Sequence, residues 1–353
     1  MVEVQNLVKR YGDRNAVDGL SFTVEDGQVF GFLGPNGAGK STTMNIMTGY
    51  LAPTQGRVLI DGLDIAAEPE TARRRIGYLP ELPPLYPDMT VAEYLRFCAE
   101  LKKLPRAEQS DRIAQAVSMT HLEDQTRRLI RNLSKGFRQR VGLAQAVLGL
   151  PKVIILDEPT VGLDPRQVVE IRELIRSLAR EHTVILSSHI LSEIRAVCDR
   201  VLIIRKGKFV ACDTPQALEE KLSAGGRLTL LAKCAPAQAE DVLAGVDGVL
   251  THTVSDAGAG TVRVELSCAG DRRESLFYAF AAARCPLLEL RSRTASLEDV
   301  FLDLTDEDDA VAARAAALLA PAPETGGPET GEAPPDAEEK APAAGAGEEE
   351  RSE

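Results

Sequence analysis

The sequence has no tryptophan, only four histidines, and no C-x-x-C pair among its six cysteines. That missing spacing argues against a structural zinc site, and reduced, mostly buried thiols are expected. No stretch approaches the roughly 20 apolar residues of a membrane-spanning helix. The most apolar late run, Ala310 to Ala320, is short and carries Arg314. The opening MVEVQNLVKRYGD holds no apolar run that could serve as a secretory leader. A cytosolic chain, unable to cross a bilayer alone, is expected. An excess of positive charge is also lacking. The formal net charge is −12, of which residues 321–353 carry −8 and residues 306–320 carry −3, leaving residues 1–305 at −1. A nearly neutral body offers no electrostatic footprint for nucleic acid, so no nucleic-acid partner is expected. From Pro321 onward there is no Val, Ile, Leu, Met, Phe, Tyr or Cys. Such a segment cannot bury enough surface to offset its chain entropy. Residues 306–353 are therefore expected to be a disordered acidic tail that solvates rather than docks.

What is present divides the rest in two. Residues 1–222 alternate β-branched apolar runs with helical patterns. VFGFL (29–33), VIIL (153–156) and TVILSS (183–188) are short and apolar on both faces, as buried parallel strands are. With helices following them, the class is α/β with a largely parallel sheet. Residues 82–150 read as an inserted helical subdomain, with helical periodicity over 91–101 and 106–119 and a capping box at Thr90 and Glu93. Residues 227–305 read β-α-β-β-α-β, a ferredoxin-like α+β module, followed by a last amphipathic helix capped at Ser296 and running to about Leu304.

Two motifs carry chemistry by themselves. Gly34-Pro35-Asn36-Gly37-Ala38-Gly39-Lys40-Ser41-Thr42 fits G-x-x-x-x-G-K-[ST] between an expected strand and an expected helix, the context of a phosphate-binding P-loop. Its glycines let successive N–H groups face phosphate oxygens, and the helix N-terminus adds positive potential. Lys40 would reach the β- and γ-phosphates, and the Ser41 hydroxyl would ligate Mg²⁺. Val153 to Leu156 then ends in Asp157 and Glu158. Adjacent carboxylates at the tip of a buried strand are costly unless they hold something. Asp157 would hold Mg²⁺, and Glu158 would orient and deprotonate an attacking water. These residues indicate a P-loop ATPase. The absence of N-K-x-D disfavours a GTPase, and a small-molecule kinase stays open on these two motifs alone.

Further along, Leu133-Ser134-Lys135-Gly136-Phe137 begins a helix pattern about twenty residues before Asp157, with Ser134 suited to cap it. With these motifs the chain resembles the ATP-binding subunits of ABC transporters, most specifically over residues 1–222 and more loosely to about 305. The resemblance implies that Ser134 and Gly136 contact the γ-phosphate held by an opposite protomer's P-loop. It makes Gly162-Leu163-Asp164 a D-loop, His189 the switch histidine at the γ-phosphate, and Tyr11 the aromatic that stacks on adenine. Asp164 also suits a helix cap before Pro165. Two departures stand out. Glu81 in IGYLPE occupies the place of the usual Q-loop Gln, where it could ligate Mg²⁺ or position water, and LSKGF replaces the commoner LSGGQ. Both departures, with YLPELPPLYPDMTVAEYL and SLEDVFLDLT, resemble the ABC-2-type exporter branch, including gliding-motility and drug-resistance ATPases.

The resemblance therefore implies an ATPase using ATP and Mg²⁺. It would work as a homodimer or heterodimer, peripheral on the cytoplasmic face of the cell membrane. An integral membrane ABC-2-type permease would be its partner, and export its direction. The alternative is a soluble ABC ATPase acting on ribosomes or DNA. Such proteins usually have tandem ATPase domains, long coiled coils or zinc insertions, and the sequence has none of these. For the module at 227–305, a dimer-stabilising or packing role is expected over ligand sensing.

Overall fold

The computed structural model describes residues 1–223, 227–268 and 270–292. The expected helix at 296–304 and the expected disordered tail lie outside these residues.

Three sheets organise the described chain. The central one has six strands in the order Lys208–Asp213, Arg200–Arg205, Val29–Leu33, Thr183–Ser188, Val153–Leu156, Ile76–Leu79. All neighbours pair parallel except the first two, which are antiparallel. Because successive side chains point to opposite faces, each apolar run serves two cores. Phe30, Phe32, Val153, Ile155, Ile185, Leu202 and Ile204 join the core on one side of the sheet. Val29, Leu33, Ile154, Leu156, Val184, Leu186, Val201 and Ile203 join the core on the other.

The first core is closed by a second, antiparallel sheet in the order Arg14–Val24, Val2–Tyr11, Gln55–Ile60, Leu63–Asp64. Val2, Val4, Leu7 and Leu20 face the central sheet from it. Phe22 stacks on Phe30 at 5.7 Å between ring centroids and meets Phe32 edge-on at 5.2 Å. The sequence alone does not separate this antiparallel layer from the parallel one. Its strands are half-exposed, so their apolar residues alternate with polar ones instead of forming runs.

The other core is covered by helices, among them Val91–Leu101, Lys135–Val147, Pro165–Leu178 and Leu191–Val197. The first runs over the residues its periodicity indicated, as does Arg106–Met119. Thr90 and Glu93 form the reciprocal capping box, with the Thr90 N–H donating to Glu93 at 2.8 Å. The order β-α-β-β-α-β is present over Arg227–Ser292, with an antiparallel sheet of strand order Val249–Gly258, Thr261–Cys268, Arg227–Ala232, Leu287–Ser292. Leu230, Val264, Leu276 and Phe280 form a core of its own.

Lys102 ties two of the covering helices together. It ends the helix Val91–Leu101, and its ammonium donates to the carbonyls of Gln145, Ala146 and Leu148 at 2.9, 3.3 and 2.8 Å. These carbonyls lie at the C-terminal end of Lys135–Val147, where the helix leaves acceptors without intrahelical donors. Burial holds the ammonium pKa down at about 8. Lys102→Met keeps the aliphatic stem and removes all three donors. It should destabilise the chain by about 1–3 kcal/mol, read as a lower urea midpoint at unchanged slope. An unchanged midpoint would show that the tie contributes nothing.

Candidate nucleotide site

Because the central strands run parallel, their C-terminal ends lie along one edge, the usual place for a ligand in an open α/β sheet. Leu33 leads into the P-loop, Leu156 into Asp157 and Glu158, Ser188 into His189, and Leu79 into Pro80 and Glu81. A cavity of about 640 Å³ opens there. Tyr11, Pro35, Asn36, Gly37, Gly39, Lys40, Ser41, Thr42, Glu81, Glu158 and His189 all line it, from segments far apart in sequence.

The P-loop passes into the helix Lys40–Met47 at Gly39, whose φ is +107°. A Cβ there would lie 2.4 Å from the Ala16 carbonyl oxygen, so only glycine fits. Gly34 and Ala38 do not line the cavity, and Ala38 is buried. Lys40 is 5% exposed, and its ammonium donates to the Gly34 carbonyl at 2.8 Å. It also lies 3.5 Å from Glu158 Oε1. The other Glu158 oxygen is 2.9 Å from His189 Nδ1. Glu158 thus bridges the P-loop lysine and the histidine. Its backbone has φ +49°, a left-handed conformation that costs a non-glycine residue about 1 kcal/mol. Two bonds hold that turn, from Glu158 N–H to Ser187 Oγ at 2.9 Å and from Val161 N–H to Glu158 O at 3.2 Å.

Asp157 is 4% exposed, and its Oδ1 accepts from Ser187 Oγ at 2.6 Å and from Ser41 Oγ at 3.2 Å. Hydroxyl and carboxylate oxygens brought together in this way suit a hard divalent cation such as Mg²⁺. Tyr11 ends its strand at the cavity rim, 52% exposed, with the Lys9 ammonium 5.4 Å from the ring centroid.

Three lining residues, Arg14, Ala16 and Val161, and one supporting residue, Ser187, carry no motif in the sequence. Arg14 and Ala16 reach the cavity because the strand Arg14–Val24 folds back beside Tyr11. Ser187 holds both carboxylate residues. The only sequence signal for it is a polar residue at the end of an apolar strand, and its partner becomes evident only from register. Leu156 pairs with Leu186, so the next position along each strand brings Asp157 beside Ser187.

Ser134, Gly136 and Asp164 do not line this cavity. Ser134 caps Lys135–Val147, its hydroxyl accepting from the Phe137 N–H at 3.3 Å. A Cβ at Gly136 would meet the end of the Gln167 side chain at 2.7 Å, so a larger residue there would have to displace that flexible amide. Both line a small separate pocket with Phe137 and Arg140. Asp164 caps Pro165–Leu178, accepting from the Gln167 N–H at 2.9 Å.

Comparison with known proteins agrees with this geometry. The ABC transporter family matches residues 17–161. The ABC transporter ATP-binding protein YhcH of Bacillus subtilis (strain 168) is 37% identical over 309 residues, 87% of this chain and 96% of that protein. The chain belongs to the ABC transporter ATP-binding proteins. The daunorubicin/doxorubicin resistance ATP-binding protein DrrA of Streptomyces peucetius is 35% identical over 309 residues, covering 86% of this chain and 92% of DrrA. Among solved structures, a dimeric bacterial ABC transporter cassette superposes with a TM-score of 0.55 at 27% identity, over 61% of this chain and 98% of that one. This ABC ATP-binding subunit is accordingly an ATPase on the P-loop fold, and ATP is its nucleotide.

Ser187→Ala would leave the buried Glu158 N–H without a partner and Asp157 Oδ1 with only the longer bond from Ser41 Oγ. ATP turnover by this subunit should fall about ten-fold or more, one buried bond being worth at least that in rate. Phosphate release checks it, with circular dichroism confirming the fold. Unaltered turnover would remove Ser187 from the site.

Proposed function

We propose that this subunit hydrolyses ATP to drive export through a separate ABC-2-type membrane permease, working as a pair of ATPase subunits on the cytoplasmic face of the membrane. The observation that carries the reading is the meeting of Lys40, Ser41, Asp157, Glu158 and His189 at one sheet edge, over a cavity large enough for a nucleotide. Among the described residues no helix is long and apolar enough to cross a membrane, which supports a separate permease. Export is supported by relatives whose names concern bacitracin transport, linearmycin resistance and Nod factor export. They disfavour the reading as an ATPase of ribosomes or DNA.

Lys40, backed by the P-loop N–H groups, would neutralise the β- and γ-phosphates. Ser41 and Asp157, with Glu81 beside the same cavity, would hold Mg²⁺, whose bound form would screen phosphate charge. Glu158 would orient the attacking water and take its proton. His189, already bonded to Glu158, would contact the γ-phosphate. Tyr11 would stack on the adenine. Chemistry of this kind needs placement and charge neutralisation, with no covalent intermediate.

A pair of subunits is supported by where Ser134 and Gly136 lie. They occupy a pocket apart from the cavity, so each would complete the site of the opposite protomer. Asp164 would lie at the same junction. Closure of the sandwich on ATP and its reopening after hydrolysis would pass through residues 82–150 and Glu81 to the permease.

Lys40→Ala should abolish turnover, because it removes the buried ammonium held between the Gly34 carbonyl and Glu158. Glu158→Gln should bind ATP, hydrolyse it at least ~100-fold more slowly and accumulate as an ATP-bound dimer in size-exclusion chromatography. Robust hydrolysis by Lys40→Ala would overturn the site, and a Glu158→Gln chain that stays monomeric with ATP would overturn the sandwich.

A further inference from the structure

Glu193 lies on the helix Leu191–Val197 and is 6% exposed. A single oxygen of its carboxylate, Oε2, accepts from Thr160 Oγ1 at 2.5 Å and from Ser188 Oγ at 3.0 Å. The two hydroxyls come from different segments of the site. Thr160 stands two residues after Glu158, in the run of turns that leads to Asp164. Ser188 stands directly before His189, and its oxygen also accepts from the Ile190 N–H at 2.9 Å, closing the turn that contains His189. A hydroxyl has one proton to give, and both hydroxyls give theirs to the same carboxylate oxygen.

A buried carboxylate is costly, and an apolar side chain would fill the same space without that cost. What the carboxylate adds is a strong, directional joint, because hydrogen bonds to a charged acceptor are shorter and stronger than neutral ones. That joint spans two loops whose end residues, Glu158 and His189, touch each other at 2.9 Å. Glu193 itself is not part of the cavity lining, so it would act through Thr160 and Ser188.

We propose that Glu193 is a positioning residue for ATP hydrolysis: its carboxylate joins the segment after Glu158 to the turn carrying His189, and so sets the contact between those two side chains. In the paired arrangement proposed above, Asp164 lies at the junction with the partner, four residues after Thr160. Movement there on closure would then reach His189 through one carboxylate oxygen, linking pairing of the subunits to readiness of the site. The inference rests on Glu158 and His189 serving hydrolysis.

The test is steady-state ATPase kinetics on the full chain, with Glu193→Ala, Glu193→Gln, Thr160→Val and the Glu193→Ala/Thr160→Val pair. Glu193→Ala should lower kcat about 10- to 100-fold with KM for ATP within about three-fold, the pattern of lost placement and not of lost binding. Glu193→Gln should recover kcat to within about three-fold of the parent, because its amide oxygen accepts the same two protons. Thr160→Val should also lower kcat, and the double variant should lose no more than Glu193→Ala alone, within about two-fold, as for residues acting as a unit. An unchanged kcat in Glu193→Ala, additive losses in the double variant, or no recovery with Gln would overturn the proposal. So would loss of cooperative unfolding alongside loss of activity in both Glu193 variants. Undiminished turnover by Glu158→Gln would instead remove the reading on which the inference rests.

Discussion

The nucleotide site depends on strands Ile76–Leu79, Val153–Leu156, Thr183–Ser188 and Val29–Leu33 ending at the same edge. Parallel pairing requires each strand to be followed by a crossover, and here the crossovers begin with the reactive segments. The edge therefore collects a phosphate-binding loop, two carboxylates, a histidine and a further glutamate from segments spread between residues 34 and 189. The strands can hold that alignment because both faces of the sheet are packed, by the antiparallel layer on one side and helices on the other. A rigid sheet with short loops at one edge fixes the reacting groups more tightly than loops alone could.

The site also solves an electrostatic problem. Lys40, Asp157 and Glu158 are each nearly buried, where an isolated charge would be prohibitively costly. Lys40 sits between loop carbonyls and Glu158, Glu158 reaches on to His189, and Asp157 takes two hydroxyl protons. Ser187 serves both carboxylate residues, and Glu193 gathers the hydroxyls of Thr160 and Ser188 behind them. Serine and threonine are suited to this because a hydroxyl can donate and accept at once. The polar end of the strand Thr183–Ser188 is thus a frame for the reacting groups.

Much of this was legible in the chain. G-x-x-x-x-G-K-S after an apolar strand, VIIL before two acids, and TVILSS before His189 each name a strand and the chemistry at its end, because short β-branched runs apolar on both faces suit buried strands. The capping box at Thr90 and the caps at Ser134 and Asp164 are local, set by bonds three residues apart, and the structure forms all three. The antiparallel layer was harder to read, since half-exposed strands alternate and lack runs. Ser187 gave only the signal of a polar residue ending an apolar strand, and the joint from Glu193 to Thr160 gave none, since those partners lie distant in sequence.

The sequence by itself determined the P-loop ATPase class and the family, and it named the residues proposed to meet the nucleotide, because those depend on short motifs whose geometry is local. Tertiary structure alone decided how the pieces meet. It placed Glu158 between Lys40 and His189, set Ser187 under Asp157, and made Glu193 the joint between two loops. It also kept Ser134 and Gly136 apart from the cavity. Contacts of that kind follow from strand register and helix packing, which act between residues that no sequence window contains together.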